Sequence, residues 1–148
     1  MFQSYMNNAL ETAKTGLTKG EIPVGAVIVS SEGKVIVSKY NMVRKLNDPT
    51  AHAEILAIRQ ASDILGTDKL VGCSIYVTLE PCTMCASAIS LARISKLYFG
   101  AYDKKTGGVE HGARIFSWPQ THHKPEIYGG LMATECGEIL KTFFNDRR

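Results

Sequence analysis

The chain has 148 residues, 45% apolar and 21% charged, with a formal net charge of +3 and a sequence pI near 8.7. That is the composition of an ordinary globular chain, and one domain over residues 1–148 is expected. No apolar run is long enough to cross a membrane and no charged-then-apolar leader opens the chain, which argues against a membrane or secreted class; the basic balance permits a nucleic-acid partner without demanding one.

From Phe2 to about Lys19, Phe2, Tyr5, Met6, Ala9, Leu10, Ala13 and Leu17 recur at three-four spacing, which predicts an amphipathic helix ended by Gly20-Glu21. Ile22 to Val29 is a short apolar run broken early by Pro23 and Gly25, so a buried strand with an irregular start is expected. Gly25 serves either close packing or the approach of a ligand. Ser31-Glu32-Gly33 makes a turn, and Lys34 to Tyr40 returns as the second strand of a hairpin. Asn41, at the end of that strand, reads as a turn former or as a polar contact to substrate.

Ala51 to Ser62 is helical, with Ala53, Ile55, Leu56, Ile58 and Ala61 as its apolar set. Cys73 to Leu79 is a strand that delivers Glu80 and Pro81 to a cysteine-bearing helix running on to Ala92. Ile94 to Tyr98 is another strand, closed by Gly100. Lys104 to Pro125 has no period. It is a long loop carrying Lys104, Lys105, Arg114, Lys124, Trp118 and three histidines, suited either to gripping a phosphate backbone or to plain solvation with Trp118 as an anchor. Ala133 to Asn145 is the closing helix, with Cys136, Ile139, Leu140, Phe143 and Phe144 on one face; Arg147 and Arg148 follow, read either as solvated charges or as phosphate contacts. Cys73 and Cys136 read as small core residues. The order of elements predicts an α/β fold with a mixed sheet between helices and a site at the ends of central strands.

Two runs carry the chemistry: Asp48-Pro49-Thr50-Ala51-His52-Ala53-Glu54 and Glu80-Pro81-Cys82-Thr83-Met84-Cys85. Cys82 and Cys85 are three apart, so a helix puts them on nearly the same face. Pro81 suits the start of that helix, whose N-terminal field favours thiolates. With His52 they form a three-donor set suited to Zn2+, leaving a fourth position open as in catalytic sites. Glu54 stands two positions after His52, which on an ideal helix turns it away by about 200°. The two converge only near a helix start, where Asp48-Pro49-Thr50 offers capping chemistry. A carboxylate beside an activated water is a proton shuttle. His111, His122 and His123 are left out, because a fourth protein ligand would close the site. With two cysteines committed to metal, the remaining pair argues for a reducing, cytoplasmic setting.

H-x-E followed by P-C-x-x-C is the signature of zinc nucleobase deaminases. The chain resembles, more narrowly, the bacterial tRNA-specific adenosine deaminases within the cytidine/deoxycytidylate deaminase superfamily. The resemblance runs through Ile22-Pro23-Val24-Gly25-Ala26-Val27, Asn41, Asp48 to Ile55, Tyr76 to Cys85, Phe99-Gly100-Ala101, Lys105-Thr106-Gly107 and the tail from Phe143-Phe144 to Arg147-Arg148. It implies a three-layer αβα, cytidine deaminase-like fold on a five-stranded mixed sheet, and a homodimer. It implies zinc held by His52, Cys82 and Cys85, a proton shuttle at Glu54, a base contact at Asn41, and a tRNA anticodon loop as substrate whose wobble adenosine becomes inosine. After Gly107 the family pattern is a small-residue run, whereas this chain reads Gly108-Val109-Glu110-His111-Gly112-Ala113-Arg114. Two other readings stand beside this one. A deaminase of a free base or nucleoside, guanine or cytosine, carries the same motifs. A zinc-stabilised RNA-binding module without catalysis would have no use for Glu54.

Overall fold

A computed structural model of the chain describes residues 2–146, and the side chains from residue 5 onward. Arg147 and Arg148 lie outside the described residues, as does the side chain of Phe2. The elements are helix α1 (Phe2–Thr18), strands β1 (Gly25–Val29) and β2 (Val35–Tyr40), a one-turn helix α2 (Val43–Leu46) and helix α3 (Ala53–Leu65). Strand β3 (Ser74–Leu79), helix α4 (Thr83–Leu91), strand β4 (Lys96–Ala101), a 3₁₀ turn (Ile115–Ser117), strand β5 (Glu126–Tyr128) and helix α5 (Ala133–Asp146) complete them.

The sheet runs β2-β1-β3-β4-β5. β1 is antiparallel to both β2 and β3, while β3, β4 and β5 are parallel. The sheet is therefore mixed, as expected, with the hairpin strand β1 lying between the two strands that α3 connects. Alternation along the strands sorts side chains to two layers. Ala26, Ile28, Ile75, Val77, Leu97 and Phe99 face α3 and α4. Val27, Val29, Tyr76 and Tyr98 face α1 and α5, meeting Met6, Ala9, Ala13, Cys136 and Ile139. On that second face Tyr76 and Tyr98 stack with centroids 4.3 Å apart, and Tyr128 continues the stack at 5.0 Å. No described helix is long and apolar enough to cross a membrane.

Several boundaries differ from the sequence expectation, each for a packing reason. The buried face of α3 is Ala53, Glu54, Ala57 and Ala61, with Ile55, Leu56 and Ile58 only half-buried. Alanines bring this helix close to the sheet, and so bring its first turn close to α4. Gly100 does not close β4 but lies inside it. A Cβ there would stand 2.5 Å from Cys136 Sγ and 2.7 Å from the Thr78 carbonyl oxygen, so its bareness admits α5. Gly25 is likewise a packing glycine: a Cβ would stand 2.0 Å from the Ala9 carbonyl oxygen of α1. Backbone cannot yield there as a flexible side chain would. Gly25→Ala is therefore expected to destabilise by about 3 kcal/mol or to prevent folding, read as the thermal midpoint against Gly137→Ala, where a Cβ meets nothing within 4 Å.

Candidate metal centre and active site

Three donors from two helix starts meet at one point. The Nδ1 of His52 lies 3.6 Å from Cys82 Sγ and 3.5 Å from Cys85 Sγ. The three ligand atoms all fall within 4.8 Å of one another, and they form the one such group of metal-capable side chains among the described residues. Tetrahedral zinc with ordinary Zn–S and Zn–N bonds sets an N–S separation of about 3.5 Å, so the donor set fits that ion in both chemistry and spacing. The three histidines of the 104–125 loop stay out of the cluster, as expected. His111 turns Nδ1 to Glu80, and His123 places Nε2 2.6 Å from the Ile94 carbonyl oxygen.

The local backbone explains the convergence. Both His52 and Cys82 are N-cap residues with extended backbone (φ −71° in each), so each side chain swings off the helix axis toward the other. Pro81 precedes this cap, two residues before the first helical position, Thr83, at which a helix-starting proline is expected. The α3 cap also differs from expectation. Asp48 accepts the Thr50 N–H at 2.8 Å and the Thr50 hydroxyl at 2.7 Å, making a local turn and not a cap. The cap of α3 comes from Asn41, whose Oδ1 accepts the Ala53 N–H at 2.7 Å. Asn41 is buried at the end of β2, so one side chain ties the strand to the helix start that carries His52 and Glu54.

Electrostatics within the cluster follow from burial and shared protons. Hydrogen bonds from Cys85 and then from His52 hold the Cys82 thiol down to about 4. Cys85 donates to that thiolate and is fully buried, which pushes its own value up. His52 is raised by its bond to Cys82. Glu54 is only 4% exposed, and burial pushes its carboxyl up to about 7, with the Cys82 charge adding to the rise. A carboxyl poised near neutrality beside the cluster is matched to accept and return a proton at physiological pH.

The cleft beside the cluster is about 630 Å³, within the range of small-ligand sites. Its walls include Glu21, Asn41, Val43, Arg44, His52, Phe143 and Phe144. A larger groove of about 1070 Å³ follows the outer side of α3 past Arg59 and Asp63, but none of the cluster residues lines it. Sequence reasoning missed two of the cleft's builders, Glu21 and Phe144, and one buried carboxylate outside the cleft, Glu80. Glu21 is 3% exposed and accepts the N–H groups of Arg44 (3.1 Å) and Lys45 (2.9 Å), fixing α2 at the cleft mouth. Phe143 and Phe144 read as a core face, yet Phe144 is 52% exposed and lines the cleft. Glu80 was passed over as the residue that ends a strand. It is fully enclosed and bonded to a distant loop. An acidic residue in an otherwise buried strand end was the available signal for it.

Residues 2–101 match the family model described as the cytidine and deoxycytidylate deaminase zinc-binding region. A tRNA-specific adenosine deaminase of Agrobacterium fabrum is 52% identical over 144 residues, covering 97% of this chain and 94% of that protein. A solved structure from a study of A-to-I editing by tRNA:A34 deaminases at the wobble position of transfer RNA superposes with a TM-score of 0.90. It is 52% identical and covers 93% of this chain and 99% of its own. A guanine deaminase of Nitrosomonas europaea superposes at 0.83 with 20% identity, over 95% of this chain and 83% of its own, a likeness of fold.

Proposed function

This chain belongs to the cytidine and deoxycytidylate deaminase zinc-binding family, and from that membership we propose that it deaminates adenosine to inosine at the wobble position of a tRNA anticodon. The reading takes in residues 1–148 as one domain, acting as a homodimer in the cytoplasm. The observation that carries the chemistry is Glu54, a buried carboxyl pushed up to about 7 beside the His52-Cys82-Cys85 cluster. A purely structural zinc site has no use for it.

His52, Cys82 and Cys85 hold the zinc, which when bound supplies a Lewis acid that brings the pKa of water down toward neutrality. Glu54 takes the proton of the attacking water as its oxygen bonds to the ring carbon bearing the amino group. It gives that proton to the adjacent ring nitrogen, then takes the second from the hydroxyl now on the ring carbon and passes it to the amino group. That group leaves as ammonia as the carbonyl forms, so the carboxyl ends as it began. Burial of Glu54 keeps competing water away from that transfer. Asn41 spends its oxygen on Ala53 and keeps its amide nitrogen as a donor for a ring acceptor of the base. Phe144 offers an aromatic surface at the cleft. A base stacked in a helix cannot enter, so the nucleotide must be splayed out, which a single-stranded anticodon loop permits at low cost.

The two roles of Asn41 separate by substitution. Asn41→Asp retains the oxygen that caps α3 but replaces the amide donor with an acceptor. It is expected to raise KM about tenfold or more while moving the thermal midpoint little. Asn41→Ala loses both, with an added cap penalty of about 1 kcal/mol, or roughly 2–4 °C in a chain of this size. Equal KM for wild type and Asn41→Asp would remove Asn41 from substrate binding.

The test of the function is inosine formation by the purified protein in an anticodon stem-loop with a wobble adenosine, run beside free adenosine, adenine, guanine and cytosine. Inosine in the RNA alone is expected. Ammonia from a small molecule alone would keep Glu54 and the cluster in their roles but move the substrate to free bases or nucleosides. No turnover at all from zinc-loaded protein would leave a non-catalytic RNA-binding module.

A further inference from the structure

We infer that Glu80 is a positioning residue that fixes the 103–111 segment as the RNA-facing wall of the site, an inference that rests on the RNA reading above. Glu80 stands one residue beyond β3, two before Cys82, and is 2% exposed. Five donors converge on its carboxylate. Oε2 accepts the N–H groups of Val109 (3.2 Å), Glu110 (2.8 Å) and His111 (3.0 Å). Oε1 accepts the Asp103 N–H at 3.0 Å and faces His111 Nδ1 at 2.8 Å. One carboxylate therefore ties down both ends of a segment that has no helix or strand of its own.

Between these ends the chain is laid against the start of α4. The Gly108 N–H donates to the Pro81 carbonyl at 2.8 Å, and Gly107 forms an isolated antiparallel bridge with Cys82. There is no space for side chains in that seam: a Cβ on Gly107 would lie 2.6 Å from Glu80 Cδ, and one on Gly108 2.6 Å from the Thr83 nitrogen. The tip is ordered as well. Asp103 Oδ1 accepts the N–H groups of Lys105 (3.1 Å) and Thr106 (3.0 Å). Lys104 and Lys105 thus project from a clamped loop bridged to Cys82. Both are exposed and neither is ion-paired among the described residues. Solvated cations on a loop held against the metal-ligand Cys82 are the chemistry that recognises the phosphate backbone of a single strand.

The position requires a carboxylate. Every group that meets it through the backbone is a donor, and an amide has one acceptor oxygen to offer. Glu80→Gln keeps the shape but turns an NH2 either onto three backbone N–H groups or onto that of Asp103, leaving buried donors opposed.

The experiment measures anticodon stem-loop turnover, zinc content and the salt dependence of binding for the wild type, Glu80→Gln, His111→Ala, Lys104→Ala/Lys105→Ala and their combinations. For Glu80→Gln, KM is expected to rise about tenfold or more with kcat within about threefold and zinc content unchanged. The lysine pair raises KM and lowers the salt slope by about 2. In the Glu80→Gln background, removing the lysines costs markedly less than in the wild type, because a loop released from its clamp no longer presents them. His111→Ala, which spares all four backbone bonds, shifts KM in the same direction by less and carries the test if Glu80→Gln does not fold. A fall in kcat parallel to zinc loss at constant KM would make Glu80 merely structural and overturn the inference. Strictly additive effects, or a lysine pair without effect on KM and salt slope, overturn it too. A wild type that makes no inosine in the stem-loop brings down the RNA reading, and the inference with it.

Discussion

Glu54→Gln is expected to retain one zinc per chain and to lose about 10²–10⁴-fold in turnover of the stem-loop. Glutamine keeps the size of the side chain in a site that is 4% exposed, so packing around the first turn of α3 survives. It cannot accept the proton of the attacking water or return one to the leaving ammonia. Burial raises the Glu54 carboxyl above the ordinary carboxylate range, the direction that suits a group expected both to accept a proton and to return it. Metal analysis and turnover are measured on the same preparation. Turnover at the wild-type rate with zinc in place would remove Glu54 from the chemistry and leave the motif without a function.

The second large effect belongs to Cys82. Cys82→Ala is expected to abolish stoichiometric zinc and to lower the thermal midpoint by about 10 °C. Zinc at a thousandfold excess over its dissociation constant stabilises the folded chain by about 4 kcal/mol, and each kcal/mol moves the midpoint of a chain of this size by roughly 2–4 °C. Cys82 is also the N-cap of α4, so a serine control is needed. It makes no side-chain cap bond in this structure, and serine is a good capping residue, so Cys82→Ser should hold the helix start while still losing the metal. Chelation of the wild type should reproduce the midpoint shift and leave the mutant's unchanged. A Cys82→Ala protein with full zinc content would refute Cys82 as a ligand.

Local chemistry is legible in the sequence wherever it depends on neighbours a few residues away. The stripe from Met6 to Ala13 is a core face because helical spacing puts those side chains on one side. The hairpin of β1 and β2 follows from two strand-forming runs about the turn Ser31-Glu32-Gly33. Cys82 and Cys85 fall together because three residues are nearly a full turn, and the resemblance supplied the fifth strand. Periodicity had no purchase on β5, whose three residues form a strand by pairing with β4. Asp48-Pro49-Thr50 offers capping chemistry just before α3, whereas Asn41, twelve residues from Ala53, fills the cap across the end of a strand.

By itself, then, the sequence determined the donor set, the carboxylate that stands beside it, the amphipathic helices and the mixed αβα class, all of which rest on residue type and short spacing. Only the tertiary structure decided how they act together. It turned His52 and Cys82 toward one point by making each an N-cap, and it raised Glu54 by burying it on the inner face of α3. It admitted α1 and α5 at Gly25 and Gly100, and it brought five donors of the 103–111 segment onto Glu80. These are contacts between segments far apart in the chain. The physical reason is that burial and hydrogen-bond satisfaction are properties of the assembled interior, to which no local period gives access.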